Sequence, residues 1–418
     1  MNARTAALFV ALAASACRRP RPVAVDDDAG EAVARGDANV GPRPWCRAPR
    51  EVALREGEVD ASATAGARSV TLAFDSDGAW TAGVVDGASG QLSLRGASGR
   101  EERFAIGPGE ASDPSVAVGP RGVFVGWTRE SVGGREHVAR FGAAPSQRCT
   151  TPELRDEGLT LSVAATSRGA VLVWDEDGPP PSAGSVKAQL VDPRAPTPCG
   201  APRQVSPPEQ DASDPISVAL PDGVAVFWLT ARDVAASESN DTATDVWGLA
   251  LDAGGAPRGR PVRITAGPGH RFGLAAWADA GAVWLAFRDA GPSDNESRGD
   301  GGEVVALRLA HGPRGLSTPT PPVRVTADAS NPTGAPRVTA ALASGAAAEV
   351  WWAERHGPRV STWLRPLRPS GGVDPDGAPV EEPVMEGALP VAAGVGGVVV
   401  YVSRRGARTA VATTRCAP

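Results

Sequence analysis

Lysine is almost absent from this chain. Of 418 residues, 42 are Lys or Arg, and Lys187 is the only Lys. Tyrosine occurs once, methionine twice and histidine four times, and aromatic residues make up 5% of the total. The formal charge of -6 leaves no basic stripe to neutralise phosphates, which argues against nucleic acid as a partner. His137, His270, His311 and His356 form no His-x-x-x-His or His-x-His pair, and no Cys-x-x-Cys is present, so no zinc signature stands out. There is no Gly-x-Ser-x-Gly elbow and no phosphate-binding glycine loop. No stretch approaches the roughly 20 apolar residues of a permanent transmembrane helix. The near-exclusive use of Arg, with abundant Ala, Gly and Pro, looks like the product of a GC-rich genome.

Glycine (50), proline (39) and tryptophan (11) are what the chain has instead. They are not scattered. From about Ser69 onward a unit recurs: a short apolar run, a turn at a Gly, a second run closing on a large aromatic, a variable loop, then further apolar runs. Three copies show it best: Ser115-Val-Ala-Val-Gly-Pro-Arg-Gly122-Val-Phe-Val-Gly-Trp127, Leu161-Ser-Val-Ala-Ala-Thr-Ser-Arg-Gly169-Ala-Val-Leu-Val-Trp174 and Ile216-Ser-Val-Ala-Leu-Pro-Asp-Gly223-Val-Ala-Val-Phe-Trp228. A fixed period of this kind decides the fold. Short strands at regular spacing with turn signals between them indicate an all-β architecture, and four strands per copy is the size of one propeller blade. The expectation is therefore a seven-bladed β-propeller, with six or eight blades allowed because the first and fifth copies diverge. The recurring aromatics Trp127, Trp174, Trp228, Phe287, Trp352 and Tyr401 are expected to fill the wedges between blades.

The last copy stops one strand short, and a propeller does not leave that edge unpaired without cost. Cys46-Arg-Ala-Pro-Arg-Glu-Val-Ala-Leu54 resembles the end of the third copy, Cys199-Gly-Ala-Pro-Arg-Gln-Val205, so the N-terminal piece reads as the outer strand of the last blade. This ring model pairs Cys46 with Cys416 and leaves Cys149 for Cys199, one of the three connectivities that four cysteines allow.

The N-terminus carries a basic residue, an apolar stretch and small residues, the pattern of a secretory signal. Ala14-Ser15-Ala16-Cys17 resembles the lipobox of bacterial lipoproteins, with Ala where Leu is usual, which implies lipidation of Cys17. The expected layout is a signal peptide over 1–17, a Pro/Asp/Ala-rich tether over 18–45 in which Asp26-Asp27-Asp28 is a solvated charge run, and the propeller over 46–418. The expected location is the bacterial cell envelope, at the outer membrane or cell surface, held by the lipid with the head periplasmic or extracellular and monomeric.

Across about Ser69 to Pro418 the repeats resemble bacterial propellers grouped near the sialidase and BNR-repeat families, on the Ser-Val-Ala…Gly-Val-x-Val-x-Trp rhythm. Asp75-Ser-Asp77-Gly-Ala-Trp80 approximates that family's Asp-box. The catalytic set the resemblance would require includes a Tyr nucleophile, and Tyr401 sits instead at a blade-core position. Two acidic stretches remain as candidate ligand or calcium loops. One spans Arg232 to Asp245 and carries Asp233, Asp241 and Asp245; the other spans Arg288 to Asp300 and carries Asp289, Asp294, Glu296 and Asp300. Their oxygens suit Ca²⁺, the one cofactor considered. A flexible polar insertion is the plain alternative. The functional expectation is a non-enzymatic binding or scaffold lipoprotein whose partner is an envelope protein or polysaccharide. A propeller glycosidase or lyase acting on extracellular polysaccharide is the rival. An axial funnel lined by small apolar residues favours the first, and charged side chains in the funnel favour the second.

Overall fold

The computed structural model describes, between residues 50 and 415, everything except 53–69, 75–79, 87–90, 97–100, 106–109, 132–133, 142–146, 152–159, 177–183, 233–242, 291–300, 328–329, 342–344, 358, 374–379, 383–389, 395–397 and 406–407. Side chains are described chiefly from 114 to 373. One compact unit spans Pro42–Pro418. Among the described residues there is no helix, and so none long and apolar enough to cross a membrane.

The strands form seven antiparallel sheets among the described residues. In chain order the first sheet holds β2–β5 (Val70–Phe74, Trp80–Asp86, Gln91–Gly96, Glu101–Ala105) and the second β6–β9 (Glu110–Gly119, Gly122–Ser131, Gly134–Arg140, Arg148–Thr150). The third holds β10–β13 (Leu161–Ala165, Ala170–Glu176, Ser185–Val191, Arg203–Gln204) and the fourth β14–β17 (Asp211–Leu220, Gly223–Ala231, Thr244–Asp252, Pro257–Arg263). The fifth holds β18–β20 (His270–Ala278, Ala282–Ala290, Glu303–Gly312), with β21 (Gly315–Leu316) and β22 (Val323–Arg324) both on β20. The sixth is β23–β26 (Pro332–Ala340, Ala348–His356, Arg359–Leu367, Val380–Glu382). In the seventh, β27–β29 (Pro390–Gly394, Val398–Arg405, Arg408–Arg415) are completed by β1 (Arg50–Val52).

The first strand of each sheet touches the first strand of the next, and β27 touches β2, so the sheets form a closed ring. This is a β-propeller. The N-terminal strand lies where the sequence places it: Arg50, Glu51 and Val52 pair with Thr413, Ala412 and Val411, so the two ends of the chain share one sheet. Cys46 and Cys416 lie outside the described residues.

Both faces of a sheet in such a ring are covered, which is why the second strands read as unbroken apolar runs. Along Gly223–Ala231, Val224, Val226 and Trp228 pack with Val171 and Val173 of the preceding sheet, while Ala225, Phe227 and Leu229 pack with Val283, Leu285 and Phe287 of the following one. Trp174, Trp228, Phe287 and Trp352 each face the preceding sheet, and with Trp127 all are at most 2% exposed. Tyr401 falls within β28, and its side chain is outside the described residues. The repeat glycine has two local causes. Gly122 takes φ +114°, a region closed to most other residues. At Gly223 a Cβ would lie 2.0 Å from the Leu251 carbonyl oxygen, so the third strand leaves no room for a side chain.

The innermost strands begin further upstream than the sequence suggests. The apolar runs quoted from Ser115 and Ile216 are preceded by bulges, Ser112-Asp-Pro-Ser115 and Ser213-Asp-Pro-Ile216, inside β6 and β14. Proline is tolerated there because an innermost strand pairs on one side only.

Cys149 and Cys199 form a disulfide with a Cα–Cα distance of 5.5 Å, tying the outer edge of the second sheet to that of the third. Cross-linking residues 50 apart stabilises by about 4 kcal/mol in the chain-entropy model. The double substitution Cys149→Ala/Cys199→Ala should lower the chemical-denaturation free energy by that order; an unchanged value would show that the neighbouring sheets hold this edge without it.

Candidate functional site

The connections between second and third strands, and those between sheets, leave the ring on one face. Three polar clusters stand at that end of the sheets. The first joins the fourth and fifth sheets. Asp245, at the start of β16, is 3% exposed. Arg232 grips it with a two-point fork, Nη2 to Oδ1 at 2.5 Å and Nε to Oδ2 at 3.0 Å. Arg263 donates to Oδ2, and Arg271 approaches Oδ1 at 3.5 Å. Burial would raise the Asp245 carboxyl, but the hydrogen bonds and charges of Arg232 and Arg263 outweigh it and hold the group below the usual carboxylate range. Arg271 also donates to the carbonyls of Thr244, Gly267 and Gly269 and lies 3.3 Å from Asp289. Burial pushes the Asp289 carboxyl up, Arg271 opposes that, and Glu303 adds to it.

Of the candidate ligand or calcium residues, Asp245 and Asp289 are the two among the described residues. Asp245 belongs to β16 and Asp289 to β19, and both Asp245 oxygens accept from guanidinium groups. Sequence spacing could not show this, because Arg263 and Arg271 come from other strands, 18 and 26 residues away. Asp233, Asp241, Asp294, Glu296 and Asp300 lie outside the described residues. Among the described residues no group of three or more His, Cys, Asp or Glu is placed to hold a metal ion.

The second cluster joins the third and fourth sheets. Asp175 follows the wedge Trp174 on β11 and is 7% exposed. It accepts from the backbone N–H of Thr160 at 2.9 Å and of Asp214 at 3.1 Å. Asp214 sits in the β14 bulge at φ +49° and accepts from the Thr160 hydroxyl at 3.2 Å. Among the described residues it is the only non-glycine with positive φ. Burial is the main cause that raises the Asp175 pKa from 3.8 to about 6; the two backbone donors lower it, and the Asp214 charge raises it further. Between those values the folded protein holds a proton that the unfolded chain has released. Stability from this group therefore rises as pH falls from 7 to 4, by up to about 3 kcal/mol. Wild type should gain that much relative to Asp175→Asn over this window; parallel stability curves would refute it.

The third cluster is in the sixth sheet. Glu354, 4% exposed, accepts from the Trp352 indole N–H at 2.7 Å and contacts His356 Nε2 at 3.1 Å. This acceptor ties the wedge residue to the end of its strand.

Sequence reasoning missed a further device, the repeat serine. Ser115 Oγ accepts from the Val163 N–H at 2.9 Å, and Ser162 Oγ accepts from the Ser217 N–H at 2.9 Å. Each bond stitches one innermost strand to the next. The signal was present in Ser-Val-Ala, but the partner lies about 50 residues away.

No protein-family model matches the chain, and no curated protein matches its sequence. Solved structures do resemble it. An ulvan lyase, described as a new family of polysaccharide lyase, is 12% identical with a TM-score of 0.51, covering 86% of this chain and 95% of its own. A streptogramin B lyase is 11% identical at TM-score 0.48, covering 90% of this chain and all of its own. TolB from Acinetobacter baumannii is 13% identical at TM-score 0.37, covering 69% of this chain and 61% of its own. At these identities the likeness concerns the fold, which the ulvan lyase carries: the chain is an all-β protein of the propeller class.

Proposed function

We propose that this protein is a non-enzymatic binding or scaffold propeller of a bacterial envelope, anchored through a lipid on Cys17. Its ligand, an envelope protein or polysaccharide, meets the face from which the loops between second and third strands leave. The observation that carries this reading is the closure of Arg232, Asp245, Arg263, Arg271 and Asp289 on one another. Charged groups in that arrangement stiffen a rim and are poor acids or bases. The Cys149–Cys199 disulfide supports export.

The rival reading, a propeller glycosidase or lyase, is favoured by one observation: Asp175, raised to about 6, stands beside Asp214 in a strained bulge. One experiment separates the two. The protein is expressed with its leader in a Gram-negative host, fractionated beside Cys17→Ala, and incubated with neutral, uronate-containing and sulfated polysaccharides. The binding reading expects wild type in the membrane fraction, Cys17→Ala released, and retention of a polysaccharide or an envelope protein without shortening of any chain. New reducing ends or unsaturated uronate products, lost in Asp175→Asn, would establish the rival instead.

A further inference from the structure

The face opposite the loops is the base of the ring. It carries the turns that join first to second and third to fourth strands, and strand direction puts the start of β1 there as well. Strand β29 runs from the loop face at Arg408 to the base at Arg415. Strand β1 is antiparallel to it, with Arg50 opposite Thr413 and Val52 opposite Val411, so the chain coming from Cys17 joins the ring at the base. The proposed ligand face and the entry of the anchoring chain are thus on opposite sides. A connecting segment as long as residues 18–49 permits several orientations, so attachment alone does not choose which face meets the membrane.

Charge does choose. The base of the second and third sheets is made by residues 119–122, 141–148, 166–169 and 192–200, whose charged members are Arg121, Arg148, Arg168, Arg194 and the single Asp192. Residues 142–146, outside the described ones, contain no charged side chain. Four arginines against one aspartate is a local excess of positive charge in a chain whose formal charge is -6. Arg148, Arg168 and Arg194 are exposed, and Arg121 is half-buried. Arg121 donates from Nε to the Ser167 carbonyl at 3.0 Å, which links the two turns, and Arg168 pairs with Asp192 at 3.0 Å. Burial would raise the Asp192 carboxyl, but the Arg194 N–H and the charges of Arg168 and Arg121 hold it below the usual carboxylate range. Arg148 and Arg194 take part in none of the ion pairs between described residues. In the adjoining fourth sheet, Arg258 neutralises Asp222, and Asp252 is turned onto the N–H groups of Gly254 and Ala256. The connections of the first sheet at this end carry Asp75, Asp77 and Arg100 and lie outside the described residues. Exposed arginines add little to stability, so the arc is not explained by the fold. On the face where the anchoring chain enters, it matches anionic headgroups, which are worth about fivefold in binding per arginine.

We propose that the base of the ring, at the arc of Arg121, Arg148, Arg168 and Arg194, docks on the anionic phospholipid headgroups of the membrane that holds Cys17, and so turns the loop face away from that membrane. This deepens the binding reading above and rests on it for the lipid anchor. The arc itself should bind anionic lipid whether or not Cys17 is lipidated.

The test is sedimentation of the full-length Cys17→Ala protein with phosphatidylcholine vesicles, with and without phosphatidylglycerol, at low ionic strength. Two charge-matched double variants are compared in that background: Arg148→Gln/Arg194→Gln at the base, and Arg203→Gln/Arg260→Gln on the outer edge, where both arginines are exposed on β13 and β17. Binding should require phosphatidylglycerol and weaken with added salt. The base pair should lose about tenfold or more in affinity with an unchanged melting temperature, and the edge pair little. Orientation is read on the lipidated protein in phosphatidylglycerol vesicles containing nitroxide-labelled lipid. A fluorophore on Ser167→Cys, in a base turn, should be quenched more than one on Glu209→Cys, in the connection between the third and fourth sheets. Binding indifferent to phosphatidylglycerol, equal losses in the two double variants, or equal quenching at the two labels would overturn the proposal. So would retention of a soluble sulfated polysaccharide through Arg148 and Arg194 without phosphatidylglycerol binding, which would assign the base to a polysaccharide. Failure of the anchor reading would appear separately, as wild type carrying no lipid on Cys17 while the arginine-dependent vesicle binding persists.

Discussion

Asp245→Ala is expected to destabilise the protein by about 3–5 kcal/mol, the cost of removing one partner from a buried ion pair. The reason lies in what remains. Asp245 is the acceptor for Arg232, Arg263 and Arg271, and its side chain is 5% exposed. Without it, Arg271, also 5% exposed, keeps only Asp289 and backbone carbonyls to offset its charge. Arg232 and Arg263 are more exposed and can turn to water, so the loss should concentrate on Arg271. A double-mutant cycle checks this. Pairing Asp245→Ala with Arg271→Met should recover a large part of the lost stability, whereas pairing it with Arg263→Met should recover little. Equal recovery in both cycles would show that the three arginines share the charge evenly. A single-variant loss under about 1 kcal/mol would mean that the cluster behaves as an exposed surface pair.

Trp228→Ala should cost a similar amount, about 3–5 kcal/mol, by a different route. Trp228 is 0% exposed and fills the wedge between the third and fourth sheets with Val171, Val173 and Leu249. Strand backbones fixed by ladders on both sides give little scope for collapse into the vacated space. The indole N–H also donates to Gln210 Oε1 at 3.1 Å, and Gln210 is buried, so truncation leaves that oxygen with only the long 3.5 Å bond from the Thr230 hydroxyl. Trp228→Phe separates the two contributions: it keeps most of the apolar contact and loses the hydrogen bond, and should fall well short of the alanine value. Equilibrium denaturation in urea, with the slope compared between variants, is the measurement. A loss below about 1.5 kcal/mol for Trp228→Ala would contradict the wedge account.

The two residues illustrate different degrees of legibility. Trp228 could be read from the chain because its role repeats: the same aromatic closes the same strand at Trp174, Phe287 and Trp352, and the buried wedge is a property of the period. Asp245 could not. As a stretch of letters, Arg232 to Asp245 is an acidic insertion. It becomes part of an ion-pair cluster only because the ends of β15, β16, β17 and β18 converge. The bulges at the Asp-Pro steps 113–114 and 214–215 were not legible for a related reason. Proline signals a strand break in an isolated segment, but an innermost propeller strand has a free edge where a bulge can hold it.

What this sequence determined by itself is therefore whatever depends on neighbours along the chain: the strand period, the Gly turns, the wedge aromatics, and the N-terminal strand that completes the last sheet. Alternation and turn chemistry are local, so they survive without coordinates. The ring alone decided the partners of charge. It pairs Asp245 with three arginines and places Asp175 against the strained Asp214. Electrostatic energy depends on distance in space and on exclusion of water. Both are set when separate sheets are brought edge to edge, and neither is written in residue order.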